Sequence, residues 1–191
     1  MADPQQIRLP QVVESRKLAE SWRAEIFEDT LRYGSNRTAP YWRFEVPNFT
    51  VAIGVREDGK IPLVKQYRHG AKRSFWEFPA GLLEQNETPL DCVRREFVEE
   101  IGHELVDPVL LSKFFPYPGR SDQVAYVYSG RVSRAVGQKF DTDDTVEELE
   151  VAFVEEDSIL KLFSENISAT YLLAYLLYRD SRDRSLGKSA K

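Results

Sequence analysis

The stretch Gly81–Gly102, GLLEQNETPLDCVRREFVEEIG, contains a helix start, a helix stop and three crowded carboxylates. Thr88 has the side chain of an N-cap, Pro89 suits the first helical position, and Asp91 stands where a capping box places its acid. Gly102 follows Ile101 as a natural terminator. The spacing therefore predicts a helix over residues 89–101. At about 100° per residue, Leu90, Val93, Phe97 and Ile101 form one apolar stripe that must face a sheet. Glu96, Glu99 and Glu100 share the neighbouring face, where like charges at i,i+3 and i,i+4 cost about a few tenths of a kcal/mol per pair. A divalent cation would reverse that penalty, because Mg²⁺ prefers hard oxygen ligands shared between carboxylates and a substrate phosphate. From helix composition alone, a solvated acidic stripe is the alternative.

Around this helix the chain reads as strands. Trp42–Val46 alternates, Phe49–Val55 does so in part, and Glu57-Asp58-Gly59-Lys60 forms a turn into Ile61–Tyr67. Phe75–Phe78 is a further short strand, and residues 109–116, 124–132 and 149–154 follow the helix as strands. Helical segments are expected near 157–164 and 167–180. Strands on both sides of a central helix, with a helical C-terminal part, predict a mixed α/β sandwich. Residues 1–15 read as loosely structured, residues 18–33 show no firm period, Gly34-Ser35-Asn36 reads as a turn, and 181–191 reads as a frayed tail.

Composition narrows the class. With 191 residues the chain is expected to hold one domain, possibly with a small appendage. A single cysteine, Cys92, rules out an intramolecular disulfide and suits a reducing compartment. No apolar leader opens the chain, and the apolar run Tyr171–Tyr178 falls far short of the roughly 20 residues that span a bilayer. These features suggest a cytoplasmic protein with no membrane partner. The net charge of −5 argues against a nucleic-acid partner, yet leaves room for a small phosphorylated ligand met by metal and a few cationic side chains.

Gly81, five residues, Glu87, seven residues, then Arg95-Glu96-Phe97-Val98-Glu99-Glu100-Ile101-Gly102 resembles the Nudix box, Gly-x5-Glu-x7-Arg-Glu-U-x-Glu-Glu-x-Gly-U, with U apolar. Every fixed position matches; the last U is His103. The resemblance implies a Nudix-type α/β/α sandwich with a mixed sheet and an N-terminal β-rich extension. Its domains would be residues 1–48, taking part in dimerisation, 49–182 as the hydrolase domain, and 183–191 as a flexible tail. It implies Glu96, Glu99 and Glu100 as metal ligands together with the Ala80 carbonyl, which Gly81 lets approach. Gly81, Glu87 and Arg95 would support the site, the last two as an ion pair. The implied cofactor is Mg²⁺, with Mn²⁺ as a substitute.

Tyr67-Arg68, Trp76–Gly81 and Phe115-Pro116-Tyr117-Pro118-Gly119-Arg120-Ser121-Asp122 resemble the ADP-ribose and nucleoside-diphosphate-sugar pyrophosphatases. Pro118 occupies the position at which that subfamily carries a distinguishing proline, although a rigid loop would account for it as well. Gln123 departs from the acidic residue often found there. The resemblance implies hydrolysis of a nucleotide sugar such as ADP-ribose to a nucleoside monophosphate and a sugar phosphate. Arg68 would meet the diphosphate, with a surface ion pair as its other reading. Trp42, among the N-terminal aromatics Trp22, Phe27, Tyr33 and Tyr41, would stack on a nucleobase in a homodimer; ordinary core packing is the alternative. The general base is expected among Glu99, Glu100 and the acidic loop 141–148, with Glu147 first and Glu148 second, though that loop could equally be solvated. His69 and His103 read as surface residues. Cleavage of oxidised nucleoside triphosphates or dinucleoside polyphosphates, and a non-catalytic nucleotide-sugar sensor, are the competing functions.

Overall fold

The computed structural model describes residues 9–34, 37–137 and 149–189, the last four as backbone only. It divides into two compact units: one runs through Pro47 and includes Tyr117–Gln123, and the other comprises Asn48–Pro116 and the chain from Val124 onward. No helix among the described residues is long and apolar enough to cross a membrane.

The N-terminal unit is a three-stranded antiparallel sheet of β1 (Gln11–Glu20), β2 (Glu25–Arg32) and β3 (Thr38–Glu45), in that order. The expectation of loose structure through residue 15 therefore fails over Gln11–Ser15, which lie in β1, while residues 1–8 lie outside the described residues. Residues 18–33, read without a firm period, carry the end of β1 and all of β2. Every residue of β1 is exposed, so no buried face imposes alternation, and its pairing rests on backbone hydrogen bonds to β2. In β2 the buried residues are Asp29 and Leu31, a charge and an apolar side chain. Asp29 is tied down by Arg43 Nε at 2.6 Å and the Ser15 hydroxyl at 2.6 Å. A buried charge inside a strand erases the apolar signal that identifies one. Residues 117–123 join this unit through the turn Tyr117–Arg120 and a bridge between Phe44 and Ser121. The domain boundary read from sequence at residue 48 misses that return.

The second unit contains a four-stranded mixed sheet in the order β7 (Ala80–Leu82), β4 (Phe49–Val55), β9 (Ala125–Ala135) and β8 (His103–Phe114). Its one parallel pairing joins β4 to β9, from Phe49 opposite Ala125 to Val55 opposite Arg131. A three-stranded sheet orders β10 (Glu150–Val154), β5 (Ile61–Arg68) and β6 (Arg73–Glu77). Gly59, at φ +83°, closes the turn into β5. β8 starts well before the expected residue 109, because Asp107-Pro108 and three register shifts against β9 interrupt its alternation.

Helix α1 (Pro89–Ile101) matches its predicted bounds. The Thr88 hydroxyl accepts the Asp91 N–H at 3.2 Å and donates to the Asp91 carboxylate at 2.6 Å. Gly102 ends the helix at φ +74° and gives its N–H to the Val98 carbonyl. A 3-10 turn leads into α2 (Ile159–Phe163), and α3 (Ala169–Ser189) continues well past residue 182. The helical C-terminal part is thus longer than the sequence suggests, and residues up to 189 are not a frayed tail.

β4 shows how the layers form. Val51 and Ile53 face a core with Phe78, Ile159, Phe163, Tyr171 and Tyr175, which lies under α2 and α3. Ala52 faces a second core with Val93, Phe97 and Ile101 of α1. Successive side chains of one strand thus serve helices on opposite faces, the α/β/α arrangement. Gly54 continues the α1 side, where an added Cβ would lie 2.6 Å from the Phe97 ring. Thr88→Ala should remove the α1 cap, cost about 1 kcal/mol and lower the melting temperature by roughly 2–4 °C. Thermal unfolding followed by circular dichroism measures this.

Candidate active site

Arg95, in the middle of α1, organises the acidic face. Its Nε and Nη2 each lie 2.9 Å from an oxygen of Glu87, in the loop before the helix. Nη2 also donates to the Leu82 carbonyl at 3.1 Å, so the side chain ties β7 and the loop to α1. Nη1 reaches Glu96 at 2.8 Å and Glu99 at 3.0 Å. Hydrogen bonds from Arg95 hold the Glu87 carboxyl below its ordinary range, and the same partners push the Arg95 pKa upward.

Glu96 lies against the Gly81 backbone, where an added Cβ would stand 1.7 Å from its carboxyl carbon. Burial raises its pKa despite the Arg95 pair. Glu100 accepts the neighbouring Ala80 N–H at 3.0 Å. Its pKa is pushed well up, first by burial and then by the neighbouring Glu96 charge; Arg68 opposes this and Glu77 adds to it.

Each of the three expected glutamate ligands thus rests on a protein donor. Among the described residues, no three acidic, His or Cys side chains converge closely enough to hold a metal ion. The site nonetheless fits a hard divalent cation on two counts. Three carboxylates around one guanidinium, with Glu100 beside them, leave excess negative charge on oxygen donors. Gly81 also leaves a cradle beside Glu96 that any larger residue would fill.

Arg68, at the end of β5, donates Nε and Nη2 to Glu77 at 3.1 and 2.6 Å. Burial works against the Arg68 charge, but the Glu77 pair raises its pKa overall. The Glu77 carboxylate is buried and Tyr171 stands beside the pair; sequence reasoning assigned a role to neither. A charged residue set between Trp76 and Phe78 was the available signal for Glu77. Tyr171 had none, because an aromatic side chain in an apolar helix reads as core.

Trp42 and Pro118 both belong to the N-terminal unit. Trp42 is half exposed and donates Nε1 to Glu28 at 2.8 Å. Pro118 lies in an exposed turn held by Arg120 N–H to Tyr117 O at 2.9 Å, and Arg120 Nη1 reaches the Trp42 carbonyl at 3.1 Å. Trp22, Tyr33 and Trp42 are exposed rather than packed into a core. His103 packs edge-on against Phe153 and His69 is exposed. Glu147 and Glu148, with the rest of 141–148, lie outside the described residues.

The NUDIX domain family model matches residues 47–175. The chain is 29% identical over 140 residues to an ADP-ribose pyrophosphatase of Bacillus subtilis, spanning 71% of this chain and 75% of that protein. A methanol dehydrogenase activator of Bacillus methanolicus is 31% identical over 60% of the chain, and an ADP-ribose pyrophosphatase of Mycobacterium tuberculosis is 38% identical over 45% of it. The matched stretches take in less than two thirds of these last two proteins, 63% and 42%. The solved structure of an ADP compounds hydrolase superposes with a TM-score of 0.80 over 95% of this chain and 98% of that one, at 18% identity, which speaks to the fold alone.

Gly81→Ala should displace the Glu96 carboxylate, a flexible side-chain end, and weaken Mg²⁺ binding by about 10–100-fold. Titration calorimetry should show that loss with the melting temperature nearly unchanged. The metal-free protein should also lose stability as pH rises above the ordinary carboxylate range. The raised folded pKa values of Glu96 and Glu100 mean that the unfolded chain gives up those protons first. Thermal unfolding in chelator from pH 5 to 8 measures the slope, and Glu100→Gln should flatten it.

Proposed function

The chain belongs to the Nudix family, and we propose that it hydrolyses the diphosphate bond of nucleoside-diphosphate sugars such as ADP-ribose. The products are a nucleoside monophosphate and a sugar phosphate. The observation that carries this reading is the intact glutamate face of α1, locked to its loop by Arg95 and Glu87. Relatives named ADP-ribose pyrophosphatase, and a GDP-mannose pyrophosphatase of Yersinia pestis at 27% identity over 116 residues, favour the nucleotide-sugar class. The likeness to an 8-oxo-dGTP diphosphatase of Proteus vulgaris, 54% identical over 37 residues, covers only 19% of the chain and gives little weight to triphosphates.

Glu96, Glu99 and Glu100, with the Ala80 carbonyl, would hold Mg²⁺, for which Mn²⁺ could substitute. When bound, such a cation neutralises phosphate oxygens and acidifies a neighbouring water. Arg68 meets the diphosphate with the part of its guanidinium that Glu77 does not engage. Water attacks one phosphorus, the bond from that phosphorus to the bridging oxygen breaks, and the leaving phosphate carries the bridging oxygen away. Glu147 takes the proton from the water, with Glu148 as the second candidate. The pairing of Glu150 with Lys65 supports this choice, because it brings the start of β10 to the end of β5 that carries Arg68. Trp42, in the N-terminal unit, would stack on a nucleobase in a homodimer, and Pro118 marks the nucleotide-sugar class. The exposed strand β1, with Val12, Val13 and Leu18 uncovered, supports a homodimer formed through the N-terminal sheet. The working compartment in this reading is the cytoplasm.

A panel of ADP-ribose, GDP-mannose, UDP-glucose, dinucleoside polyphosphates and nucleoside triphosphates, run with Mg²⁺ in ¹⁸O-water, tests the assignment. Nucleotide sugars should be cleaved fastest, and label in one product identifies the attacked phosphorus. Glu100→Gln should lower kcat by about 100-fold or more with the fold intact. Turnover of triphosphates alone would replace the substrate class, and no turnover of any member would favour the sensor.

A further inference from the structure

We propose that Tyr171 is a positioning residue: its buried hydroxyl holds the Arg68–Glu77 pair in the orientation from which Arg68 meets the substrate diphosphate. The inference rests on the diphosphate role given to Arg68 above. The Glu77 carboxylate is almost fully enclosed, its side chain 3% exposed, whereas the Arg68 side chain is 41% exposed. One edge of the guanidinium, Nε with Nη2, is bound to Glu77, so the Nη1 end is directed away from that carboxylate. An arginine held by a single edge can still rock about the axis of that pair. Tyr171 supplies the third point. Its hydroxyl accepts from Arg68 Nη2 at 3.4 Å, a contact between residues 103 positions apart in the chain.

Tyr171 belongs to the first turns of α3, and its ring lies in the core with Phe78 and Tyr175. A phenylalanine would fill that space equally well, so packing does not call for the hydroxyl. Burying a hydroxyl is unfavourable unless it finds partners, and its partners here are the charged pair. Burial and the neighbouring Glu77 carboxylate keep the phenol neutral. It can therefore accept from Arg68 and keep its own proton facing the carboxylate. Glu77 stands three residues before Ala80, whose N–H binds Glu100, so the pair borders the glutamate face. By this route the C-terminal helix, which carries no residue of the box, sets the aim of a substrate-binding cation.

The test is a double-mutant cycle with ADP-ribose and Mg²⁺. Tyr171→Phe should raise KM by about 5–10-fold with kcat within about twofold, the signature of lost substrate binding. Arg68→Ala should raise KM further, and adding Tyr171→Phe to it should change nothing more. Should Arg68→Ala fail to fold because it strands the buried Glu77 carboxylate, Arg68→Lys completes the cycle. Wild-type KM in Tyr171→Phe beside a defective Arg68 variant overturns this inference alone. The same KM factor in both backgrounds also overturns it, because Tyr171 would then act independently of Arg68. An Arg68 variant with wild-type KM removes the diphosphate reading and this inference together. A purely structural Tyr171 would lower the melting temperature and leave KM untouched, which is again a negative result.

Discussion

One guanidinium holds the site together. Arg95 satisfies Glu87 with two hydrogen bonds, Glu96 and Glu99 with one each, and the Leu82 carbonyl with another. Without it, Glu87 of the loop and Glu96 and Glu99 of the helix would crowd a partly buried junction with no counter-charge, a costly arrangement in a low-dielectric setting. With it, the loop 83–88, strand β7 and helix α1 are tied at one point. Glu100 is the exception. It takes its hydrogen bond from the Ala80 backbone and lies toward the Arg68–Glu77 pair. The acidic face is therefore divided between a glutamate pair bound by Arg95 and a third carboxylate whose pKa burial and the neighbouring Glu96 charge push well up.

Around that point the architecture is economical. β4 sends Val51 and Ile53 to one helical layer and Ala52 to the other, so one strand fixes the spacing of α1 from α3. Gly54 lets the Phe97 ring approach the sheet, and Gly81 lets the Glu96 carboxylate approach the chain. Both are places where a side chain presses on backbone, and both lie within the reach of α1. The glutamate face is held to the sheet by close packing more than by the intrinsic preference of the helix, as expected for a segment of this length.

Helix α1 was legible to the residue because its signals are local: Thr88, Pro89 and Gly102 act within one turn of their own positions. β4 and β5 were legible because each is buried over most of its length. β1 was not, since an exposed strand needs only a partner's backbone, and neither was β2, since its buried Asp29 is compensated by Arg43 and Ser15 from the strands on either side. The early start of β8 was hidden by bulges, which the neighbouring strand accommodates.

The glutamates Glu96, Glu99 and Glu100, with Glu87 and Arg95, were readable as a cluster, because helical spacing and one loop bring them together. The sequence by itself determined that cluster, its helix and the two apolar faces around β4, all consequences of backbone periodicity and short-range caps. Only the tertiary structure decided where each carboxylate turns: Glu96 and Glu99 onto Arg95, and Glu100 onto the Ala80 N–H. It alone also brought Tyr171 to the Arg68–Glu77 pair, and returned residues 117–123 to the N-terminal sheet. Those outcomes depend on which buried polar groups find partners across long stretches of chain, and that competition is resolved by packing, which no local pattern encodes.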